Sequence, residues 1–100
     1  MPHNKLYQNQ QNVRIEIKIV HKNDIDLSTA IRIDYRVKKP SGATEVWIAT
    51  LDNIRTGLTH YLTGTNDLDE IGLYTVQPIC IFASQDVPAV PIVFEVIPII

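Results

Sequence analysis

The sequence predicts an all-β domain of six or seven short antiparallel strands, and three observations carry that expectation. Fifteen Ile and nine Val stand against seven Leu and five Ala. Branching at Cβ stiffens χ1, lowers helix propensity and suits a pleated surface. Apolar residues recur with period two in several short runs, whereas no apolar stripe of period 3.6 is sustained anywhere. Turn-forming residues break these runs at spacings typical of a β-sandwich or small barrel. At 100 residues and 45% apolar composition, the chain is one domain with enough apolar material for a single core.

Residues 1–12 read MPHNKLYQNQQN. They carry too little apolar surface to offset their own ordering entropy, so a flexible N-terminal arm is expected. Leu6 and Tyr7 are its candidates for a short edge strand. The domain proper is expected over 13–100. In 13–20, Val13, Ile15, Ile17 and Ile19 alternate with Arg14, Glu16 and Lys18, the pattern of a half-buried strand. The loop at 21–28 has Asx turn chemistry from Asn23, Asp24 and Asp26. In 31–38, Ile31, Ile33, Tyr35 and Val37 point inward, between Arg32, Asp34, Arg36 and Lys38. Pro40-Ser41-Gly42 then presets a hairpin turn.

The return strand, 44–51, puts Trp47, Ala49 and Leu51 on one face and Val46 and Ile48 on the other, so both faces are partly apolar. Trp47 is the expected centre of the core. A further strand is expected at 57–63. The next, at 72–82, has Tyr74, Val76, Pro78, Cys80 and Phe82 on one face, and Pro78, which lacks an N–H, suggests an edge or a bulge. Residues 83–89 are expected to be loop. The last strand, 90–98, holds Ile92, Phe94 and Val96 on one face, opposite Val93, Glu95 and Ile97.

One motif favours a sandwich. Glu70-x-Gly72-x-Tyr74 opens a strand after a polar loop, the setting of a tyrosine corner, in which the hydroxyl bonds back to upstream backbone. Residues 33–51 read IDYRVKKPSGATEVWIATL and residues 56–77 read TGLTHYLTGTNDLDEIGLYTVQ. The order Asp-Leu-Ser, Tyr-Arg strand, Pro-Ser-Gly turn, Trp-x-Ala, Thr-Gly and Leu-Asp-Glu-x-Gly-x-Tyr resembles the immunoglobulin-like domain of phage baseplate upper proteins, which are tail proteins of siphophages. The resemblance covers about residues 13–96. It implies an immunoglobulin-like β-sandwich and a structural role in a virion, assembled in the host cytoplasm. The implied layout pairs 31–38 and 44–51 with 72–82 and 90–98 in one sheet. It places 13–20 and 57–63, with residues 5–9, in the other.

Chemistry is sparse. One cysteine, Cys80, excludes an internal disulfide and favours a cytoplasmic route. Its apolar face makes it a small hydrophobe rather than a nucleophile. Ser28, Ser41 and Ser84 lie outside any Gly-x-Ser-x-Gly motif, and no Gly-rich phosphate cradle exists. His3, His21 and His60 fall in separate elements, which argues against zinc. The chain is therefore read as non-enzymatic, with no cofactor. Asp24, Asp26, Asp52 and Asp86 fall on loops expected at one end, so calcium is a candidate ligand, set against ordinary turn roles for the same residues. Asp67, Asp69 and Glu70 near Lys38 and Lys39 read as a solvated ion-pair patch worth little in stability.

A net charge of -2 and a pI near 5.8 argue against nucleic acid as a partner. No apolar run approaches the roughly 18–20 residues of a spanning helix, and no signal-peptide pattern opens the chain. Residues 1–40 carry eight Lys/Arg and four Asp/Glu, whereas 41–100 carry one Arg and seven Asp/Glu. Unlike surfaces of this kind orient association. The expected function is a tail, baseplate or neck component that docks onto other virion proteins, as a homo-oligomer or in many copies. A capsid decoration protein and a carbohydrate- or receptor-binding module are the alternatives. The expected interface is Leu6 and Tyr7 with Ile97, Ile99 and Ile100, apolar residues that would be an association liability if left in water.

Overall fold

A computed structural model describes residues 4–19 and 26–100. Eight strands are present among them: β1 (Asn4–Tyr7), β2 (Arg14–Lys18), β3 (Arg32–Lys38), β4 (Thr44–Asn53), β5 (Leu58–Leu62), β6 (Gly72–Ile81), β7 (Asp86–Pro88) and β8 (Ile92–Ile97). A single 3-10 turn, Leu27–Thr29, precedes β3, and the Asp26 side chain caps it by accepting from the Ser28 N–H. No helix is long and apolar enough to cross a membrane among the described residues.

The strand order is β1-β8-β6-β3-β4-β5-β2, with β7 also on β6. The sheet is mixed, because β1 runs parallel to β8, with Asn4 opposite Phe94 and Tyr7 opposite Ile97. The other pairs are antiparallel. β4 is the hinge of the architecture. Its residues 44–49 pair with β3, and from Thr50 on it pairs with β5, with a register shift between Leu51 and Asn53. One long strand thus serves two arms of a curled sheet, and the arms close on a shared core.

That core follows the period-two pattern. Ile15 and Ile17 of β2, Ile33, Tyr35 and Val37 of β3, Trp47 of β4, Tyr74, Val76 and Cys80 of β6, and Phe94 and Val96 of β8 are all buried. Ile31, expected inward, lies before β3 and is exposed. The arms are stitched by a polar bridge inside the core. The Tyr35 hydroxyl donates to Thr59 Oγ1 of β5, which donates in turn to the Ile17 carbonyl of β2 at 2.7 Å.

Several expectations change. Residues 5–9 do not join the β2–β5 arm, since β1 lies on β8. The segment expected as a flexible arm is tied down from residue 4 onward. Gln8 N–H donates to Ile97 O, Asn9 N–H to Leu68 O and Asn12 N–H to Thr63 O, at 2.7–2.9 Å. Asn9 and Asn12 reach these carbonyls through positive φ angles of 63° and 59°, a region Asn tolerates better than most residues. Pro78, expected at an edge or bulge, is in a central strand, where the pairing on its β7–β8 side slips by one residue between Val76↔Ile92 and Ile79↔Pro88. Its C=O accepts from Ala89 N–H on the β7–β8 side. Its missing N–H faces that irregularity, and the Ala89 C=O it would have served accepts from Gln77 Nε2 at 3.2 Å instead. The short strand β7 lies inside the stretch expected to be loop.

Candidate functional site

Two regions draw together the residues singled out in the sequence. The first is the corner at the start of β6. Tyr74 OH accepts from the Glu70 N–H at 3.0 Å and donates to the Glu70 C=O at 3.1 Å. The Tyr74 ring stacks on Phe94 with centroids 5.2 Å apart. Burial raises its pKa, with the two anionic neighbours Asp69 and Glu70 adding to the effect. Gly72 has φ +132°, and a Cβ there would sit 2.9 Å from the Pro40 ring. The sharp entry into β6 beside the β3–β4 turn therefore needs glycine.

Around this corner the polar loop and the hairpin turn are bolted together. Glu70 accepts from Ser41 N–H and Ser41 Oγ at 2.9 and 3.0 Å. Lys39 is only 5% exposed. Its ammonium donates to Asp69 Oδ1 (2.7 Å), Glu45 Oε2 (3.1 Å) and Asn66 O (3.1 Å). Three donors meet three acceptors, so the buried cation is fully satisfied. Burial alone would lower its pKa, but the bonds to Asp69 and Glu45 outweigh that and hold it above the usual lysine value. Asp67 accepts from Tyr61 OH at 2.6 Å and Gly64 N–H at 2.7 Å. The expected solvated patch is therefore corrected: Lys39 is a buried tie, and Asp67, Asp69 and Glu70 each hold a different piece of chain. Trp47 sits beside it, stacked on Tyr61 at 4.7 Å, with its Nε1 donating to Glu45 Oε1 at 3.2 Å.

The second region joins the two expected interface segments. β1 pairs with β8, so Tyr7 and Ile97 are Cα partners. Leu6 packs against the core and Ile97 is half-buried. Tyr7 is 50% exposed and Ile99 70%. These two share a hollow with Gln8, Asn9 and Gln10. Ile100 is fully exposed. The amides are partly engaged: Gln8 Nε2 donates to Asp69 O and Gln10 Oε1 accepts from Tyr7 N–H.

The calcium candidates among the described residues do not converge. Asp24 lies outside the described residues, as do His3 and His21. Asp26 caps the 3-10 turn. Asp52 accepts from Arg14 Nη2 at 2.8 Å and contacts His60 Nδ1 at 2.7 Å. Asp86 lies near Arg32, whose pKa is raised first by its bond to Asp34 and in smaller part by Asp86. No group of three His, Cys, Asp or Glu able to hold a metal occurs among the described residues. Cys80 is buried, and burial raises its pKa, which disfavours the nucleophilic thiolate.

Two features escaped the sequence reading. The Tyr35–Thr59–Ile17 bridge has no local signal. The Lys39 tie had one: Lys39 and Glu45 flank a hairpin turn whose register brings their side chains together. No protein-family model, curated protein or solved structure matches the chain.

Proposed function

We propose that the chain is an immunoglobulin-like β-sandwich acting as a non-enzymatic structural component of a phage virion, in the tail, baseplate or neck, assembled in the host cytoplasm. The fold reading is supported by the division of strands into β2-β5-β4 and β4-β3-β6-β8-β1, with β4 shared. It is supported further by a tyrosine two residues before Val76 that bonds its own upstream backbone, the arrangement of a tyrosine corner. The chain departs from antibody-type domains in having Tyr35 rather than Trp on the third strand's inner face and no disulfide between the layers.

The observation that carries the docking role is the meeting of exposed Tyr7 and Ile99 around one hollow at the β1 edge. Unpaired strand edges and exposed apolar side chains are the elements by which sandwiches associate. A sugar-binding role is less favoured, since Tyr7 is the one exposed aromatic among the described residues. The test mixes the purified full chain with purified tail, baseplate and neck proteins of a siphophage and, separately, with its capsids. A stoichiometric complex with a tail-region protein supports the reading. Binding to capsids alone favours the decoration role, and binding to neither overturns both.

A further inference from the structure

The first half of β4 has β3 on one side and, among the described residues, no strand on the other. The hairpin's closing bond, Lys39 N–H to Ala43 O at 2.8 Å, sets the parity of the ladder. Hydrogen-bonded pairs alternate along antiparallel strands. Val37–Glu45 and Tyr35–Trp47 therefore exchange bonds, whereas Thr44, Val46 and Ile48 turn their N–H and C=O groups away from β3. The side chains of the same three residues lie on the sheet's outer face, with Val46 56% and Ile48 60% exposed. Neither proline nor lysine interrupts this edge, the usual means of blunting one.

We propose that this edge pairs with the same edge of a second copy of the chain, antiparallel about a twofold axis at Val46. The segment is self-complementary in that register. Val46 meets its own counterpart, and Thr44 meets Ile48 of the second copy, so β-branched side chains oppose one another along the outer face. On the inner face Glu45 meets Trp47 of the second copy. Within one chain Trp47 Nε1 already donates to Glu45 Oε1 at 3.2 Å, so the same donor and acceptor face each other twice across the axis. No like charges are opposed. The cations Arg36 and Lys38 sit one strand back, and the two β3 strands stand three strand spacings apart, about 14 Å and beyond a physiological Debye length. A foreign strand could use the same main-chain groups, but the symmetric side-chain pattern specifies a second copy. The inference rests on strand pairing alone and is independent of the virion reading.

Some five residues a side fall short of a standard interface, so the dimer is weak and forms at high local concentration. Sedimentation of the full chain from about 10 μM to about 1 mM reads the effect. The mass is expected to rise from 11.3 kDa toward twice that. Val46→Lys opposes two cations at the axis, and Val46→Pro removes an N–H that β3 does not use. Each is expected to weaken association at least about tenfold with the thermal midpoint unchanged. Val46→Cys is expected to cross-link under mild oxidation, because the opposed Cα atoms of such a pair lie about 5.5 Å apart. Ser41→Cys is expected not to. Removing residues 99 and 100 is expected to leave this association intact, which separates it from the Tyr7–Ile99 surface. A constant monomer mass over the whole range, no cross-link at Val46→Cys, or undiminished dimer in folded Val46→Lys overturns the proposal.

Discussion

The Tyr74 hydroxyl bonds both the N–H and the C=O of Glu70, at 3.0 and 3.1 Å. One side chain thus satisfies two backbone groups at the turn into β6, and Glu70 passes the constraint on to Ser41 in the β3–β4 turn. Tyr74→Phe keeps the stack on Phe94 and removes both bonds. The expected loss is about 1–3 kcal/mol, for two bonds whose backbone partners are left without a substitute. Urea unfolding checks it, and a neutral substitution would reduce Tyr74 to an ordinary core residue.

Trp47 is expected to be the costliest truncation. It is buried, stacked on Tyr61 and tied to Glu45. Trp47→Ala is expected to lose about 3–5 kcal/mol, since the cavity cannot collapse in a core shared by two arms of a sheet. An unfolding midpoint equal to that of the parent protein would contradict this.

The strands were legible because alternation of Ile and Val with charged residues survives into burial, as in Arg14–Lys18 and Arg32–Lys38. The corner was legible because Glu70-x-Gly72-x-Tyr74 is local. Features set by long-range geometry were not. Nothing near Lys5 signals a parallel partner at Glu95, and nothing in Asp86-Val87-Pro88 distinguishes a three-residue strand from loop. The doubly apolar faces of 44–51 did not reveal that β4 serves two arms, since Val46 and Ile48 are exposed on the outer face. Lys39 looked solvated because burial of a lysine depends on acceptors contributed from residues 66 and 69, far along the chain. Of the aspartates that suggested calcium, Asp26 is taken up by the cap at Ser28 and Asp52 by Arg14 and His60.

Stability is expected to fall on the alkaline side. Tyr35 is pushed up to about 12, mainly by burial. Tyr61 and Tyr74 are also raised, with burial the leading cause in each, and Lys39 is raised by Asp69 and Glu45 against the opposing effect of its burial. In every case the folded chain holds its proton more tightly than the unfolded chain. Their contributions are thus fully present below the unfolded values of about 10 and are lost as pH rises through the higher folded values. The melting temperature is expected to fall steeply above about pH 10. Tyr35→Phe removes one ionisable group and is expected to flatten that decline. An undiminished slope in this variant would show that Tyr35 does not contribute.

Removing Ile99 and Ile100 tests the proposed docking surface without touching the core. Neither residue belongs to β8, which ends at Ile97, and both are exposed. The ladder between β1 and β8 runs only from Asn4–Phe94 to Tyr7–Ile97 and remains whole in the shortened chain. The melting temperature is therefore expected to stay within about 2 °C, the scale of a surface change. Ile99, however, forms one wall of the hollow whose other apolar wall is Tyr7. Burying an isoleucine against a partner is worth about 1.5–3 kcal/mol. Its loss is expected to weaken binding to a tail-region virion protein by at least about tenfold, or ~1.4 kcal/mol. Tyr7→Ser, at the opposite wall, is expected to weaken the same binding, and the two changes together to do little more than either alone, because a group held between the two walls loses its seat when either wall is removed. Unfolding of the shortened chain would place residues 99 and 100 in the intrachain core. Unchanged binding in both variants would remove the hollow from the interface.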